Sequence, residues 1–226
     1  MSNSKYNYQG KRENLSSEQK YTSKEAQEFW RNPKKANEHD VGKNDPNDYL
    51  TFDDGRSEML FEKIHEILPD RDIKILELGP NAGRNLNFLY KKGYENVHGI
   101  EINADAVNLM EENFPYISKN ITLSSIEDGL QDISNNDFDL VFTMAVLEHV
   151  STESDFIFDD IKRISSEFII TIEDEVTSWS ERHFQRNYKK VFESESWEEI
   201  FSANCEEFNC LDDRFFIRVF KNLSKT

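Results

Sequence analysis

The chain has 226 residues, of which 37% are hydrophobic and 12% aromatic, enough for one domain with a sizeable core and a short appendage. Its formal net charge of −17 argues against nucleic acid or a membrane as a partner, because no basic face is available for phosphates. A polar N-terminus and the lack of a long apolar run predict a soluble, cytoplasmic protein. Cys205 and Cys210 are too few for a disulfide framework or a four-ligand zinc site.

The first part of the chain predicts a cap on the main domain. Its first 22 residues are polar and lack periodicity, which predicts a disordered or loosely draped tail. Helices are predicted over 23–31 and 54–68, each with an apolar stripe. The domain boundaries that follow are a tail over 1–22, a helical cap or lid over 23–68, and the main domain over 69–226.

The main domain alternates strands with helices. The patterns predict strands over 73–79, 96–102, 121–126, 138–144 and 167–173, and helices over 83–92, 104–114 and 154–164. This alternation implies a parallel sheet with helices on both faces. A last helix is predicted over 187–203. A hairpin turn at 212–214 then joins strands over 206–211 and 215–220, so the final strand is antiparallel.

The turn after the first strand organises the rest of the chain. It carries an acid and two glycines in the order Glu77, Gly79 and Gly83. Glycine tolerates a positive φ and lets a ligand approach the backbone closely, and the helix that follows presents free N–H groups to that ligand. Asn81 stands where a dinucleotide-binding fingerprint needs its second glycine, so an NAD site is disfavoured.

A second acid stands at the end of the next predicted strand. Glu101 follows Gly79 by 22 residues, close to the spacing at which a carboxylate after a glycine-rich turn accepts the two hydroxyls of an adenosine ribose. Ile102 would then lie flat against adenine. Turn, spacing and acid together predict an adenosine site.

The glycine turn, the strand-end acid and the alternating order resemble class I S-adenosylmethionine-dependent methyltransferases. The resemblance covers about residues 45–222 and is tightest over 73–150. It implies a Rossmann-like α/β fold with a seven-stranded, mostly parallel sheet, helices on both faces, an antiparallel C-terminal hairpin strand and an N-terminal helical cap. It also implies S-adenosylmethionine as cofactor, with S-adenosylhomocysteine as product.

The family pattern implies cofactor contacts on the rim formed by the strand ends. Gly79 and Asn81 would line the methionine part of the cofactor, and Glu101 would hold the ribose. The backbone N–H of Ile126 would meet adenine, with Ser125 or Glu127 near the exocyclic amine, in a register left open by one residue; the other members of the rim are Gly83, Ile102 and Thr143.

The methionine end of the cofactor has three further candidates. Glu77 would help to hold the ammonium group, or else serve as a capping acid for the turn. Tyr49 and Arg56 precede the sheet in a predicted lid, where an arginine would grip the methionine carboxylate with two hydrogen bonds. The alternative for Arg56 is a surface ion pair.

The residues of the fourth family motif, over 138–150, indicate which acceptors are favoured. Residues 138–150 lack the Asn/Asp-Pro-Pro-Tyr sequence of amide and adenine N-methyltransferases. Ala145 stands where some O-methyltransferases carry a metal-binding acid, so no metal site is predicted. His183, in the loop that follows strand 167–173, is the favoured general base, and His149 is either a second candidate or a packing residue. Arg186 also fits a polar acceptor pocket.

These residues predict a methyltransferase for a small polar acceptor, with an oxygen of a sugar, hydroxy acid or natural product as the favoured target. Two alternatives remain: an N-methyltransferase of a small amine, and a non-catalytic protein that binds S-adenosylmethionine or S-adenosylhomocysteine. No nucleic-acid or membrane partner is predicted, and the oligomeric state is left open.

Overall fold

A seven-stranded sheet forms the centre of the computed structural model, which describes residues 16, 20–33, 44–51, 55–178 and 180–225. The strand order is β3-β2-β1-β4-β5-β7-β6. The first five strands pair in parallel, and β7 runs antiparallel to both β5 and β6. The predicted fold class is thereby confirmed. The strands are β1 Ile75–Leu78, β2 Val97–Glu101, β3 Ile121–Leu123, β4 Phe138–Met144, β5 Ser165–Asp174, β6 Trp197–Asn204 and β7 Phe215–Asn222.

Helices cover both faces of this sheet. Consecutive strand residues point to opposite faces, so Leu140 belongs to one core cluster and Val141 to the other. The described α-helices are α1 Ser23–Arg31, α2 Pro46–Thr51, α3 Arg56–Ile67, α4 Arg84–Lys91, α5 Ala104–Asn113, α6 Pro115–Ser118, α7 Ile126–Gly129, α8 Ile157–Ile164 and α9 Tyr188–Phe192. Helices α3, α4 and α5 pack on the first face, and α8 and α9 on the second.

The C-terminal part of the sheet corrects two predictions. The helix predicted over 187–203 is wrong, because helical structure ends at Phe192 and the chain continues as strand β6. The strand predicted over 206–211 is also wrong, since Cys205–Phe208 forms a 3₁₀-helix. A capping box between Asn204 and Glu207 starts that helix, so local side-chain bonds compete with strand pairing there.

The N-terminal cap is fixed to the main domain at its first helix. Thr22 caps α1 and forms a capping box with Glu25. The amide of Ser23 donates to Glu153 Oε2 at 2.8 Å, and the hydroxyls of Ser23 and Ser154 lie 2.7 Å apart. Helix α1 therefore lies over the loop that follows β4. The predicted tail falls outside the described residues except for 16 and 20–22.

No helix among the described residues combines the length and the apolar character needed to cross a membrane.

Candidate functional site

A cavity of about 320 Å³ opens at the carboxyl ends of β1, β2 and β4, below α1. Open α/β sheets bind ligands at this edge. Glu77 and Glu101, the two acids that the sequence predicts for the cofactor, both line the cavity, and so does the loop after β4. Of the predicted site residues, the cavity is lined by Tyr49, Arg56, Glu77, Gly79, Asn81, Glu101, Ile102, Ile126 and His149.

The turn after β1 needs its glycines for steric reasons. Gly79 has φ +69°, and a Cβ there would lie 2.7 Å from a methyl group of Val146. Gly83 has φ +82° and starts α4, where a Cβ would lie 2.8 Å from Met110 Cγ. Gly83 shapes the turn from behind and does not line the cavity.

Glu101 joins the turn to the end of β2. One carboxylate oxygen accepts the amide N–H of Asn81 at 2.7 Å, and the other accepts that of Asn103 at 2.8 Å. The side chain is buried but borders the cavity. Burial raises the pKa of Glu101, while the bonds from backbone amides act in the opposite direction. Each oxygen keeps lone-pair capacity for a further donor, such as a ribose hydroxyl.

Glu77 is a buried acid with one oxygen unused. Asn85 Nδ2 donates to Oε1 of Glu77 at 2.7 Å, and Ser57 in turn donates to the Asn85 carbonyl oxygen at 2.8 Å. Oε2 of Glu77 is buried and has no hydrogen-bond partner among the described residues. Burial raises the pKa of Glu77 to about 8. A cationic donor in the cavity would satisfy Oε2 and favour the ionised form.

On the side predicted for adenine, the serine that lines the cavity is Ser124, one residue before the predicted Ser125. Ser124 lines the cavity with Ile102 and Ile126. Ser125 instead caps α7, where its hydroxyl accepts the Asp128 amide at 3.1 Å. Thr143 is buried within β4 and lies outside the lining.

The predicted lid residues reach the same cavity. Tyr49 lies in α2 and Arg56 begins α3, and both line the cavity on the side of Glu77 and Arg84. Burial raises the pKa of Tyr49, and the charge of Arg56 opposes that shift. Arg56 Nε also donates to the carbonyl oxygen of Cys210 at 3.4 Å, which ties α3 to the C-terminal part of the chain.

The opposite end of the cavity is polar and aromatic. Glu148 and His149 lie in a 3₁₀-helix after β4, and Trp30 of α1 packs on His149 with ring centroids 4.7 Å apart. The indole N–H of Trp30 is buried without a hydrogen-bond partner among the described residues. Burial, together with His183, lowers the pKa of His149 well below its usual value, so the ring is neutral near pH 7.

The two predicted histidines lie together but differ in access. The ring of His183 packs edge-on against His149, with centroids 4.7 Å apart. His183 is 8% exposed and does not line the cavity. Burial, followed by the charge of Arg182, lowers its pKa to about 3. Arg186 bonds to Asp155 at 2.6 Å and is buried, so it supports the loop from outside the pocket.

Two N-terminal residues near the site were missed by the sequence predictions. Trp30 had been assigned only to an apolar helix face. Lys20 had been assigned to the tail, but its ammonium group donates to the carbonyl oxygens of Ser178, Ser180 and His183 at 2.6, 2.8 and 2.7 Å. The capping box of α1 is a signal for the helix start; nothing in the sequence signals the partner of Lys20.

Known proteins resemble this chain in the region of the site. A family model described as "Methyltransferase domain" matches residues 76–167. The mitochondrial ubiquinone biosynthesis O-methyltransferase of Candida albicans is 30% identical over 123 residues, which are 50% of this chain and 37% of that relative. The chain thus aligns with little more than a third of the relative's length.

Solved structures share the fold at low identity. Magnesium protoporphyrin IX methyltransferase from Synechocystis PCC 6803, solved with S-adenosylmethionine bound, has a TM-score of 0.61 at 13% identity, over 92% of this chain and 96% of that one. An S-adenosylmethionine-dependent methyltransferase from Archaeoglobus fulgidus has a TM-score of 0.55 at 16% identity, over 74% and 95% of the two chains.

The methyltransferase-domain match over residues 76–167 and the fold shared with known methyltransferases support the class I S-adenosylmethionine-dependent methyltransferase that the sequence predicts. S-adenosylmethionine is bound in one of the solved structures that share the fold. The predicted class and cofactor are confirmed. The individual contacts of the cofactor and the catalytic roles of the histidines stay predictions.

Proposed function

We propose that this protein transfers a methyl group from S-adenosylmethionine to an oxygen atom of a small polar acceptor, such as a sugar, a hydroxy acid or a natural product. The main support is one continuous cavity. Its lining includes the acids Glu77 and Glu101 as well as His149 and Trp30. The cofactor and an acceptor can therefore meet inside one enclosed space.

The cofactor end fits S-adenosylmethionine residue by residue. Glu101 has lone pairs for both ribose hydroxyls, and Ile102 supplies an apolar surface for adenine. The unpartnered Oε2 of Glu77 suits the methionine ammonium. Arg56 and Tyr49 line the cavity on the lid side, where they would contact the methionine carboxylate. The bound cofactor supplies a sulfonium methyl group for in-line attack.

The acceptor end fits an oxygen-containing molecule. Trp30 has a buried N–H that needs an acceptor atom, and His149 presents a neutral ring near pH 7. Helix α1 covers this end and limits the size of what can enter. The sequence favoured His183 as the residue nearest the acceptor; the lining of the cavity favours His149, with His183 behind it.

Transfer of the methyl group to a hydroxyl requires that the hydroxyl lose its proton. As the oxygen forms its bond to the methyl carbon, the sulfur–carbon bond breaks and its electron pair stays on sulfur. An acceptor hydroxyl must release its proton in this step, so the group beside it has to accept that proton or stabilise the oxygen anion. Positioning of the two reactants supplies much of the remaining rate gain. The relative from Candida albicans is named as an O-methyltransferase, which also supports an oxygen acceptor.

Product analysis tests the proposal. The chain is incubated with methyl-labelled S-adenosylmethionine and a panel of sugars, hydroxy acids, phenols and small amines, with Glu101→Ala as a matched low-binding control. We expect a labelled O-methyl product that the control forms much more slowly. A methyl group on nitrogen would support the amine alternative. Tight S-adenosylhomocysteine binding without transfer to any acceptor class would support the non-catalytic alternative.

A further inference from the structure

Three potential metal-binding side chains converge at the acceptor end of the cavity. One oxygen of Glu148 and one ring nitrogen each of His149 and His183 lie within 4.8 Å of one another. Glu148 Oε1 and His149 Nε2 are 3.5 Å apart. Donor atoms in a tetrahedral zinc site with bonds of about 2.0–2.1 Å lie about 3.3 Å apart. The pair thus already has nearly the spacing of two ligands on one ion.

The hydrogen bonds of His149 orient its lone pair toward Glu148. Nδ1 of His149 lies 3.1 Å from the carbonyl oxygen of Arg182, and a carbonyl can only accept, so Nδ1 carries the hydrogen. In this tautomer the lone pair is on Nε2, which faces Glu148 Oε1. Two acceptor atoms at this distance need a proton or a cation between them.

The other ligands have supporting contacts that are typical of metal sites. His183 Nδ1 is hydrogen-bonded to the hydroxyl of Ser180. The second oxygen of Glu148 accepts the Asp174 amide at 2.5 Å. Metal-bound histidines and carboxylates usually have such outer partners, which fix the ring and the carboxylate plane.

Three buried acids supply negative charge beside this group, while Arg182, Lys20 and Arg214 supply positive charge near His183. Glu148, Glu173 and Asp174 are all buried, and Glu173 Oε2 accepts the amides of Val146 and Glu148 at 2.9 and 3.2 Å. Among these three acids, Asp174 forms an ion pair with Arg214 at 3.4 Å.

We propose that Glu148, His149 and His183 bind one divalent transition-metal ion, with zinc as the best match to two imidazoles and one carboxylate. Two histidines and one acid leave further coordination positions for solvent or substrate. The sequence predicted no metal because Ala145 lacks a carboxylate; in the structure the third ligand comes instead from the segment after β5.

The ion would have a direct role in the transfer, and this role, unlike the metal site itself, rests on the proposed function. An acceptor hydroxyl bound to the ion loses its proton to solvent more easily, because the cation stabilises the oxygen anion. His149 then acts as a ligand, and the ion supplies the anion stabilisation that the transfer requires.

Metal titration tests the site without any need for turnover. The full chain is stripped with a chelator and titrated with Zn²⁺ by calorimetry and with Co²⁺ by absorption spectroscopy. We expect one equivalent to bind, with a Co²⁺ spectrum typical of nitrogen and oxygen ligands. His183→Gln and Glu148→Gln should each weaken Zn²⁺ binding by about 100-fold or more, since loss of an outer partner alone costs about 10–100-fold. His65→Gln, an exposed histidine on α3, is the matched control and should bind like wild type.

Two results would overturn the metal site. One is the absence of saturable Zn²⁺ and Co²⁺ binding in the wild-type chain. The other is a loss of binding in His65→Gln equal to that in His183→Gln, which would indicate surface histidines. S-adenosylhomocysteine binding is measured in parallel on every variant as a check of folding. Its failure in wild type would count against the proposed function and leave the metal result standing.

Discussion

The carboxylate of Glu101 accepts hydrogen bonds from the backbone amides of Asn81 and Asn103, and it also borders the cavity. Glu101→Ala should weaken S-adenosylmethionine and S-adenosylhomocysteine equally, because both carry the same ribose. Hydrogen bonds to a charged group contribute about 1.5–3 kcal/mol, so the affinity should fall by about 10- to 150-fold. Calorimetric titration measures this.

The matched control for this change is Glu112→Ala, an exposed acid on α5, which should leave both affinities unchanged. Circular dichroism establishes that the two variants are folded. Unaltered affinity in folded Glu101→Ala would disprove the ribose contact.

Glu77 makes stability depend on pH in a defined direction. Its pKa of about 8 in the folded chain exceeds the value near 4.5 of an exposed glutamate, because burial disfavours the charge. Its contribution is therefore fully present below about pH 4.5 and is lost as the pH rises through 8. Between about pH 5 and 8, wild type should lose roughly 2–4 kcal/mol more than Glu77→Gln, which has no charge to gain. Urea unfolding at both pH values measures the difference.

Other buried acids, such as Glu173, titrate in both proteins and cancel in this comparison. Parallel stability curves for wild type and Glu77→Gln would contradict the raised pKa.

Several site residues could be predicted from the sequence alone, and others could not. Glu101 was predictable because the distance from glycine turn to strand end is set by one helix and one strand. Ser124 and Ser125 could not be told apart, since the choice depends on which hydroxyl caps α7. The proximity of His183 to His149 could not be predicted either, because it arises from a loop without a periodic pattern.

At the scale of the element, Lys20 ties the start of the N-terminal cap to the segment after β5. Lys20→Met removes three bonds to the segment after β5. The acceptor KM should rise about 10-fold or more, as expected for lost bonds from a charged donor. S-adenosylhomocysteine affinity should change less than about twofold, because Glu77 and Glu101 are untouched. Amide exchange over 180–184 should become faster.

Lys24→Met, four residues further along the chain, provides the control, since Lys24 is exposed. If both lysine variants changed the acceptor KM alike, general loss of charge would explain the effect, and the specific role of Lys20 would be wrong.

The elements of the parallel sheet were predicted well because each has a strong pattern of its own. β4 was predicted with its observed ends. The segment 187–203 misled for a physical reason: Tyr188, Val191 and Phe192 recur at helical spacing, and good helix formers follow them. Pairing of Ala203 with Ile217, and of its neighbours with β7, outweighs that local preference. Tertiary pairing cannot be read from local spacing.

At the scale of the whole molecule, the net charge of −17 should lower stability through self-repulsion. Salt screens this repulsion. Raising NaCl from about 20 to about 300 mM near pH 7.5 should raise the melting temperature by about 2–4 °C, the shift that about 1 kcal/mol produces in a domain of this size. Differential scanning calorimetry measures it.

The comparison is repeated near pH 4.7, the isoelectric point of the sequence, where the same salt change should have little effect. A shift of equal size at both pH values would show that net charge is not its cause.

The bonds of Lys20 also have a consequence for biosynthesis. Lys20 and His183 are 163 positions apart, so at about 5–20 residues per second the ribosome makes the second about 8–30 s after the first. Glu77 and Glu101 are also made well before His183. A nascent chain therefore carries both acids proposed for the cofactor before the segment behind His149 exists, and Lys20 can form its bonds only once β5 and the segment after it have left the exit tunnel.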